Sequence, residues 1–341
     1  MSAAYPCLVA DVGGTNARFA WVAAPGAAPA HVRVLPVAAH AGPEMAVQAY
    51  LQELALLLGA DFVRPRSAAF ALATALAGDL IELTNADWSF SRCQLQQALG
   101  LDVLLVLNDF EALALSLPRL GAGQLRLWGP ALTLPNALQT APQTTPHTLA
   151  VIGPGTGLGV GGVMLTPHGW VALAGEGGHA SLSAADHFES QLLDVVRRGY
   201  THVSAERLLS GLGLPLLHAS VATVLGLQVE PLKSEQIVAA GLAAEGAGAD
   251  AVCSRTLDSF CALLGSFAGN VALTLGARGG VYIGGGIVPR LGERFFTSQF
   301  RARFESKGRF RPYLEAVPTA LITDTLAALS GAALALEQHG A

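Results

Sequence analysis

The stretch LVADVGGTNARFAWV, Leu8 to Val22, decides how this chain is read. An apolar run enters Asp11, turns through Gly13, Gly14 and Thr15, and leaves as a second apolar run. A tight hairpin accounts for it, since Gly and Asn populate turns freely. So does a phosphate cradle, in which backbone N–H groups approach anionic oxygens because no Cβ stands in the way. Asp11 favours the cradle: a carboxylate at a strand end beside phosphates is placed to hold Mg²⁺ through its waters.

The pattern returns in altered form at Thr148–Leu165, TLAVIGPGTGLGVGGVML, where another apolar strand enters a Gly/Thr turn. A third glycine turn closes GGVYIGGG at Gly279–Gly286. Between these, apolar runs such as SAAFALA and DVLLVLN alternate with helical spacing in EMAVQAYLQELALLLG and FEALALSLPRLG, the rhythm of an α/β protein. Two such hairpins in the two halves of one chain predict a duplicated α/β core with a cleft between the halves. Helical patterns fill much of Ala184–Leu275. The segment TDTLAALSGAALALEQHG predicts a closing helix, capped by Thr323 or Asp324 and ended by Gly340. Pro130–His147 is a polar, proline-studded loop.

Two other glycine loops are excluded. A Walker loop needs GxxxxGK[ST], and neither of the two lysines, Lys233 and Lys307, stands in one. GxGxxG occurs at Gly157–Gly162 but must open a helix, whereas the residues that follow predict strand and turn.

Composition bounds the class. The 341 residues are 52% hydrophobic and 13% charged, half the usual ~25%, so a large core and one or two domains are expected. A net charge of -5 without a basic stripe argues against nucleic acid as a partner. Cys7, Cys93, Cys253 and Cys261 lack CxxC spacing; they suit a reducing compartment and predict neither a disulfide framework nor a structural zinc site. No signal peptide is read, and the charge-free stretch Leu127–Gly175 is too broken by Pro, Gly and polar residues to form a membrane span. A soluble cytoplasmic protein without a membrane partner is expected.

Three groups of polar residues remain. Asn108 and Asp109 stand where the strand LLVLN ends and a helix begins: one of them is a helix cap, or Asp109 is a base at the carboxyl end of a strand, where α/β sheets place their chemistry. Glu176 and His179 flank two glycines in LAGEGGHASL; this is a plain turn or a sugar site. Ser204 is expected to cap a helix through THVSAERLLSG, with Glu206 in its first turn.

Taken together, DVGGTNARFA, LNDFEALAL, GPGTGLGVG, GEGGHASL, HVSAERLLSG and GGVYIGGGIVPR closely resemble the cytoplasmic, ATP-dependent bacterial glucokinases, in order from about Leu8 to the closing helix. The resemblance implies a two-domain α/β fold of the actin-like ATPase (ribonuclease H-like) kind with a ligand cleft between domains. The small domain would comprise residues 1–109 plus about 322–341, and the large one 110–321. It implies transfer of the γ-phosphoryl of ATP to the 6-hydroxyl of glucose with Mg²⁺, in a homodimer. Asp109 would be the catalytic base, and Asn85, Asn108, Glu176, His179 and Glu206 would bind sugar. Ala10, Asp11, Val12, Gly13, Gly14, Thr15 and Asn16 would form the first phosphate loop. Gly153, Gly155, Thr156 and Gly157 would form the second, with Gly284, Gly285 and Gly286 against the adenosine.

Two stretches depart from the family pattern. Ala71–Asp79 lacks its usual proline, and Ile322–Ala333 lacks an Asn-Pro-Gly-Leu-rich start. Alternatives are a kinase of mannose, N-acetylglucosamine or fructose, or a non-catalytic sugar-sensing regulator. The regulator would need an N-terminal helix-turn-helix, whereas here the first glycine loop begins about a dozen residues from Met1.

Overall fold

Strand β1 (Cys7–Val12) is buried at every position but Asp11, as a strand covered on both faces must be. It runs antiparallel to β2 (Asn16–Val22), which pairs with β3 (Ala30–Pro36), and parallel to β4 (Ser67–Leu72). After the small hairpin of β5 (Leu80–Glu82) and β6 (Ser89–Ser91), β7 (Val103–Asn108) adds in parallel beside β4, giving the order β3-β2-β1-β4-β7. The computed structural model describes residues 3–74, 76, 78–83, 87–129, 148–243, 248 and 250–339. The polar stretch Pro130–His147, Asn85 and Gly340 lie outside them.

Helix α1 (Pro43–Leu58) begins on proline, whose fixed φ suits the first helical position. It buries Ala46, Val47, Tyr50, Leu51 and Leu54, and Tyr50 stacks on Phe19 of β2 with ring centroids 5.7 Å apart. Helix α2 (Arg92–Leu99) is capped by Ser91 and ends on left-handed Gly100. Helix α3 (Asp109–Ser116) follows β7 without a break.

In the second half the strands β8 (Leu125–Trp128), β9 (Thr148–Pro154) and β10 (Leu158–Thr166) come first. Next comes β11 (Gly169–Leu173), followed by the helices α4 (His187–Arg197), α5 (Leu214–Val224), α6 (Ser234–Leu242) and α7 (Ala251–Leu275). Strands β12 (Val281–Ile283) and β13 (Thr319–Ile322) complete a run ordered β10-β9-β12-β13-β8. Its plan repeats the first: an antiparallel hairpin, then two parallel strands beside its first arm. Helix α7 is long and apolar enough to cross a bilayer, yet 83% of its most apolar window is buried among Phe295, Phe300, Phe304 and their neighbours. It is a core helix.

Contacts divide the chain into two compact units, residues 1–120 with 165–173 and 324–341, and residues 121–164 with 174–323. The closing helix α8 (Ala327–Gln338) belongs to the first and packs on α3. A Cβ on its Gly331 would fall 1.7 Å from the Ala112 carbonyl oxygen, so only glycine lets the two backbones touch. Arg119 pairs with Glu337 to hold the same contact. The closing helix starts later than the sequence predicts: Leu326 is its N-cap, and the Asp324 carboxylate instead accepts the Leu326 N–H in the turn before it.

Candidate active site

In the first unit, strand register gathers the expected residues at one edge. Val12 pairs with Leu72 and Leu72 with Asn108, so β1, β4 and β7 end in one row, neighbours about 4.8 Å apart. The turn Gly13–Thr15 and the start of α3 therefore leave the same, carboxyl edge of the parallel strands. The turn is closed by Gly13 N–H donating to the Asn16 carbonyl (3.0 Å) and anchored by Val37 N–H donating to the Thr15 carbonyl (2.9 Å).

Behind the turn, Asp11 accepts from Arg18 of β2 at 2.9 Å. Burial pushes the Asp11 carboxyl up, and the Arg18 guanidinium only partly offsets this. Arg18 carried no signal of its own in the sequence. Its partner follows from register, Asp11 and Arg18 being paired across the β1–β2 hairpin. As a hard oxygen donor with one oxygen committed to Arg18, Asp11 fits the single carboxylate that Mg²⁺ asks of a protein when phosphates and water supply the rest.

At the start of α3 the cap is Asn108. Its side-chain oxygen accepts the Phe110 N–H (2.9 Å), and its amide nitrogen donates to the Thr74 carbonyl (3.1 Å), tying β7 to the end of β4. The Glu111 carboxylate accepts the Asn108 N–H, while burial pushes Glu111 up. This reciprocal cap leaves Asp109 at the first helical position, half-buried, with Oδ1 3.0 Å from the Phe110 nitrogen.

The second unit assembles the remaining residues around Gly155–Leu158. Ile152 pairs with Ile283, so the glycine turns after β9 and β12 also share one edge. Gly284 N–H donates to the Ile152 carbonyl (2.8 Å). Gly285 has φ +76°, and a Cβ there would lie 2.5 Å from the Pro154 carbonyl oxygen. From another direction Gly211 N–H donates to the Gly155 carbonyl (2.7 Å) and Leu212 N–H to the Thr156 carbonyl (3.3 Å). Gly211 ends the stretch HVSAERLLSG, and the Gly-x-Gly spacing of Gly211 and Gly213 is the local signal for this brace.

Glu206 does not sit in a helix. The expected helix from Ser204 is a series of turns, and α5 begins only at Leu214. The chain there is drawn away from helical bonding to pair with two other segments. Ala205 N–H donates to the Ala180 carbonyl and Glu206 N–H to the Gly178 carbonyl (both 2.9 Å), before Gly211 reaches Gly155. The Glu206 carboxylate is thereby aimed at the second loop, accepting the Leu158 N–H at 2.8 Å. Its other oxygen lies 4.0 Å from His179 Nδ1.

The glycines of GEGGH have a packing reason. A Cβ on Gly178 would fall 1.9 Å from the Leu158 carbonyl oxygen, so the 177–179 turn lies directly on the strand leaving the loop. Glu176 and His179 are both exposed, and the Glu176 carbonyl accepts the His179 N–H at 3.0 Å. Gly157–Gly162 lies at the start of β10, so the GxGxxG spacing opens a strand, as expected. Asn85 lies outside the described residues.

The family model described as Glucokinase matches residues 8–339. The chain belongs to the glucokinase family. It is 48% identical over 333 residues to the glucokinase of Aromatoleum aromaticum, covering 98% of this chain and 95% of that one. It is 46% identical over 337 residues to that of Neisseria meningitidis, covering 99% and 96%. Among solved structures, glucokinase from an Antarctic psychrotroph superposes with a TM-score of 0.86 at 35% identity, covering 98% and 99%. A ROK family glucokinase from Streptomyces griseus, in complex with glucose and AMPPNP, gives 0.57 at 19% identity over 96% and 98%, a likeness of fold.

Proposed function

We propose that the chain transfers the γ-phosphoryl group of ATP to the 6-hydroxyl of D-glucose, giving glucose 6-phosphate and ADP. The observation that carries this is the position of Asp109 at a carboxyl strand edge, with its helix capped by Asn108, in a chain of the glucokinase family. In phosphoryl transfer the charge spreads over the transferred oxygens, so positioning and electrostatics supply most of the catalysis. Asp109 orients the sugar hydroxyl and accepts its proton as the oxygen–phosphorus bond forms.

The turns Gly13–Thr15 and Gly155–Gly157 offer backbone N–H groups and threonine hydroxyls to the phosphates without a lysine. Asp11 would hold Mg²⁺ through water, and the ion would supply charge neutralisation at the phosphates. Asn85, Asn108, Glu176, His179 and Glu206 are assigned to sugar hydroxyls, and Gly284–Gly286 to the adenosine. The same proposal includes a cytoplasmic location and a homodimer, both implied by the family; light scattering of the purified protein tests the dimer.

The deciding experiment is coupled ADP release with ATP and a panel of hexoses. Asp109→Ala is expected to lower kcat about 10²–10⁴-fold with KM for ATP little changed. Turnover within a few-fold of wild type would remove Asp109 from the mechanism. Faster turnover of another hexose would overturn glucose while leaving phosphoryl transfer in place.

A further inference from the structure

Away from those residues, two helices of the second unit bring together three side chains that the proposed phosphoryl transfer does not use. His218 lies in α5, while Asp250 and Cys253 stand at the start of α7. His218 and Cys253 are buried, and one ligating atom from each of the three lies within 4.8 Å of the others. Among the described residues this is the one grouping of three metal-ligating side chains. We propose that His218, Asp250 and Cys253 bind a divalent ion of the zinc class, clamping α5 to α7.

The geometry favours a metal over a hydrogen bond alone. Sγ of Cys253 and Nε2 of His218 are 3.5 Å apart. A tetrahedral zinc with Zn–S about 2.3 Å and Zn–N about 2.0 Å separates sulfur and nitrogen by about 3.5 Å. That edge of the tetrahedron is already formed, and an Asp250 carboxylate oxygen lies within 4.8 Å of both atoms, near enough for side-chain rotation to bring it to the ion. Capping of α7 explains Asp250, whose Oδ1 accepts the Cys253 N–H at 2.7 Å, but it asks for neither a thiol nor an imidazole at the other two positions. The nitrogen–sulfur–oxygen donor set selects zinc or cobalt over the magnesium of phosphoryl transfer.

Burial pushes the Cys253 thiol up to about 12 and holds the His218 imidazolium below its ordinary value. On binding, Cys253 releases its proton to water and the metal–sulfur bond replaces the Sγ···Nε2 contact. The consequence reaches the second loop: α5 continues directly from Gly211–Gly213, where Gly211 braces Gly155.

The test is titration of chelator-treated full-length protein with Co²⁺. One equivalent should bind with a thiolate-to-cobalt charge-transfer band and visible bands of tetrahedral intensity. The band should vanish in Cys253→Ser, persist in Cys93→Ser, and need at least about tenfold more metal in His218→Gln, since even outer-shell changes cost 10–100-fold. Zinc should raise the unfolding midpoint of wild type and not that of Cys253→Ser. Absence of saturable binding to wild type, or a band unchanged in Cys253→Ser, overturns the site.

Discussion

At the first glycine hairpin, a Cβ placed on Gly13 would meet only the Asn16 carbonyl oxygen at 3.8 Å, an ordinary contact. At the second, a Cβ on Gly157 would lie 2.4 Å from the Glu206 carboxylate, and one on Gly211 3.1 Å from the Gly155 carbonyl oxygen. The Gly157 contact is with the end of a flexible side chain, but Gly178 and Gly285 face backbone at under 3 Å and are required by protein packed against protein. Gly13 is not, and neither is Gly155, beside which a Cβ would meet nothing within 4 Å. Equivalent turns on equivalent strands use the same residue for two reasons. Glycine that packing does not demand is where a ligand-based reason has force. The hairpins also differ in charge: the first is backed by the Asp11–Arg18 pair, whereas the second is braced by Glu206 through a backbone N–H.

The largest stability effect is expected in the glycine turn after β12, which packs against the end of the second hairpin. Gly285 has a left-handed φ, which costs a side-chain-bearing residue about 1–2 kcal/mol, and its missing Cβ faces the Pro154 carbonyl. Gly285→Ala should lose about 2–4 kcal/mol once the displaced backbone is included. It should also raise KM for ATP, because the strand it displaces leads into Gly155. Denaturant unfolding and ADP-release kinetics measure the two. A loss below about 0.5 kcal/mol, the range of an ordinary surface substitution, would mean that the second turn is no more constrained than the first.

How far this difference could be seen in the sequence follows from its causes. Both hairpins, the parallel strands SAAFALA and DVLLVLN, and the long helix α1 are local patterns of period 2 or 3.6, and each was legible. So was the junction of strand and helix at Asn108 and Asp109, although which of them caps the helix was open until Asn108 was seen bonded to Phe110 and Thr74. What stayed hidden was non-local. Glu206 carries a helix-start signature, but its backbone bonds to Gly178 and its carboxylate to Leu158, residues 28 and 48 positions away, and tertiary pairing overrides the local preference. The Asp11–Arg18 pair depends on strand register, and the clash that requires Gly178 depends on Leu158, twenty residues earlier in the chain.

Glu206 comes next in size, and two substitutions separate its brace from its charge. Glu206→Ala leaves the Leu158 N–H without its acceptor, a loss of about 1–3 kcal/mol. Because Glu206 is a third exposed, with 34% of its side chain accessible, water should soften this toward the lower end. Glu206→Gln keeps an acceptor oxygen for Leu158 and should cost about 1 kcal/mol or less, while weakening any bond in which the carboxylate accepts from a sugar hydroxyl. The expected pattern is a midpoint near wild type with a raised KM for glucose in Glu206→Gln, and both properties impaired in Glu206→Ala. Equal and large destabilisation in the two would show that the charge itself holds the loop.

The smallest stability change, and the sharpest contrast, is expected from Gly13→Ala. The added methyl has room, and the backbone of Gly13 is not in the left-handed region, so unfolding should move by no more than about 0.5 kcal/mol. If the turn receives phosphate, the same methyl stands between the backbone N–H groups and the anion. Loss of one such charge-assisted bond is worth about 1.5–3 kcal/mol, or about 10–100-fold in affinity. KM for ATP should therefore rise by that factor, with the unfolding midpoint unmoved and KM for glucose near wild type. A drop in stability comparable to that of Gly285→Ala would make the first turn a packed hairpin like the second. An unchanged midpoint with an unchanged KM would leave Gly13 as an ordinary turn residue, and phosphate binding would then fall to the second loop alone.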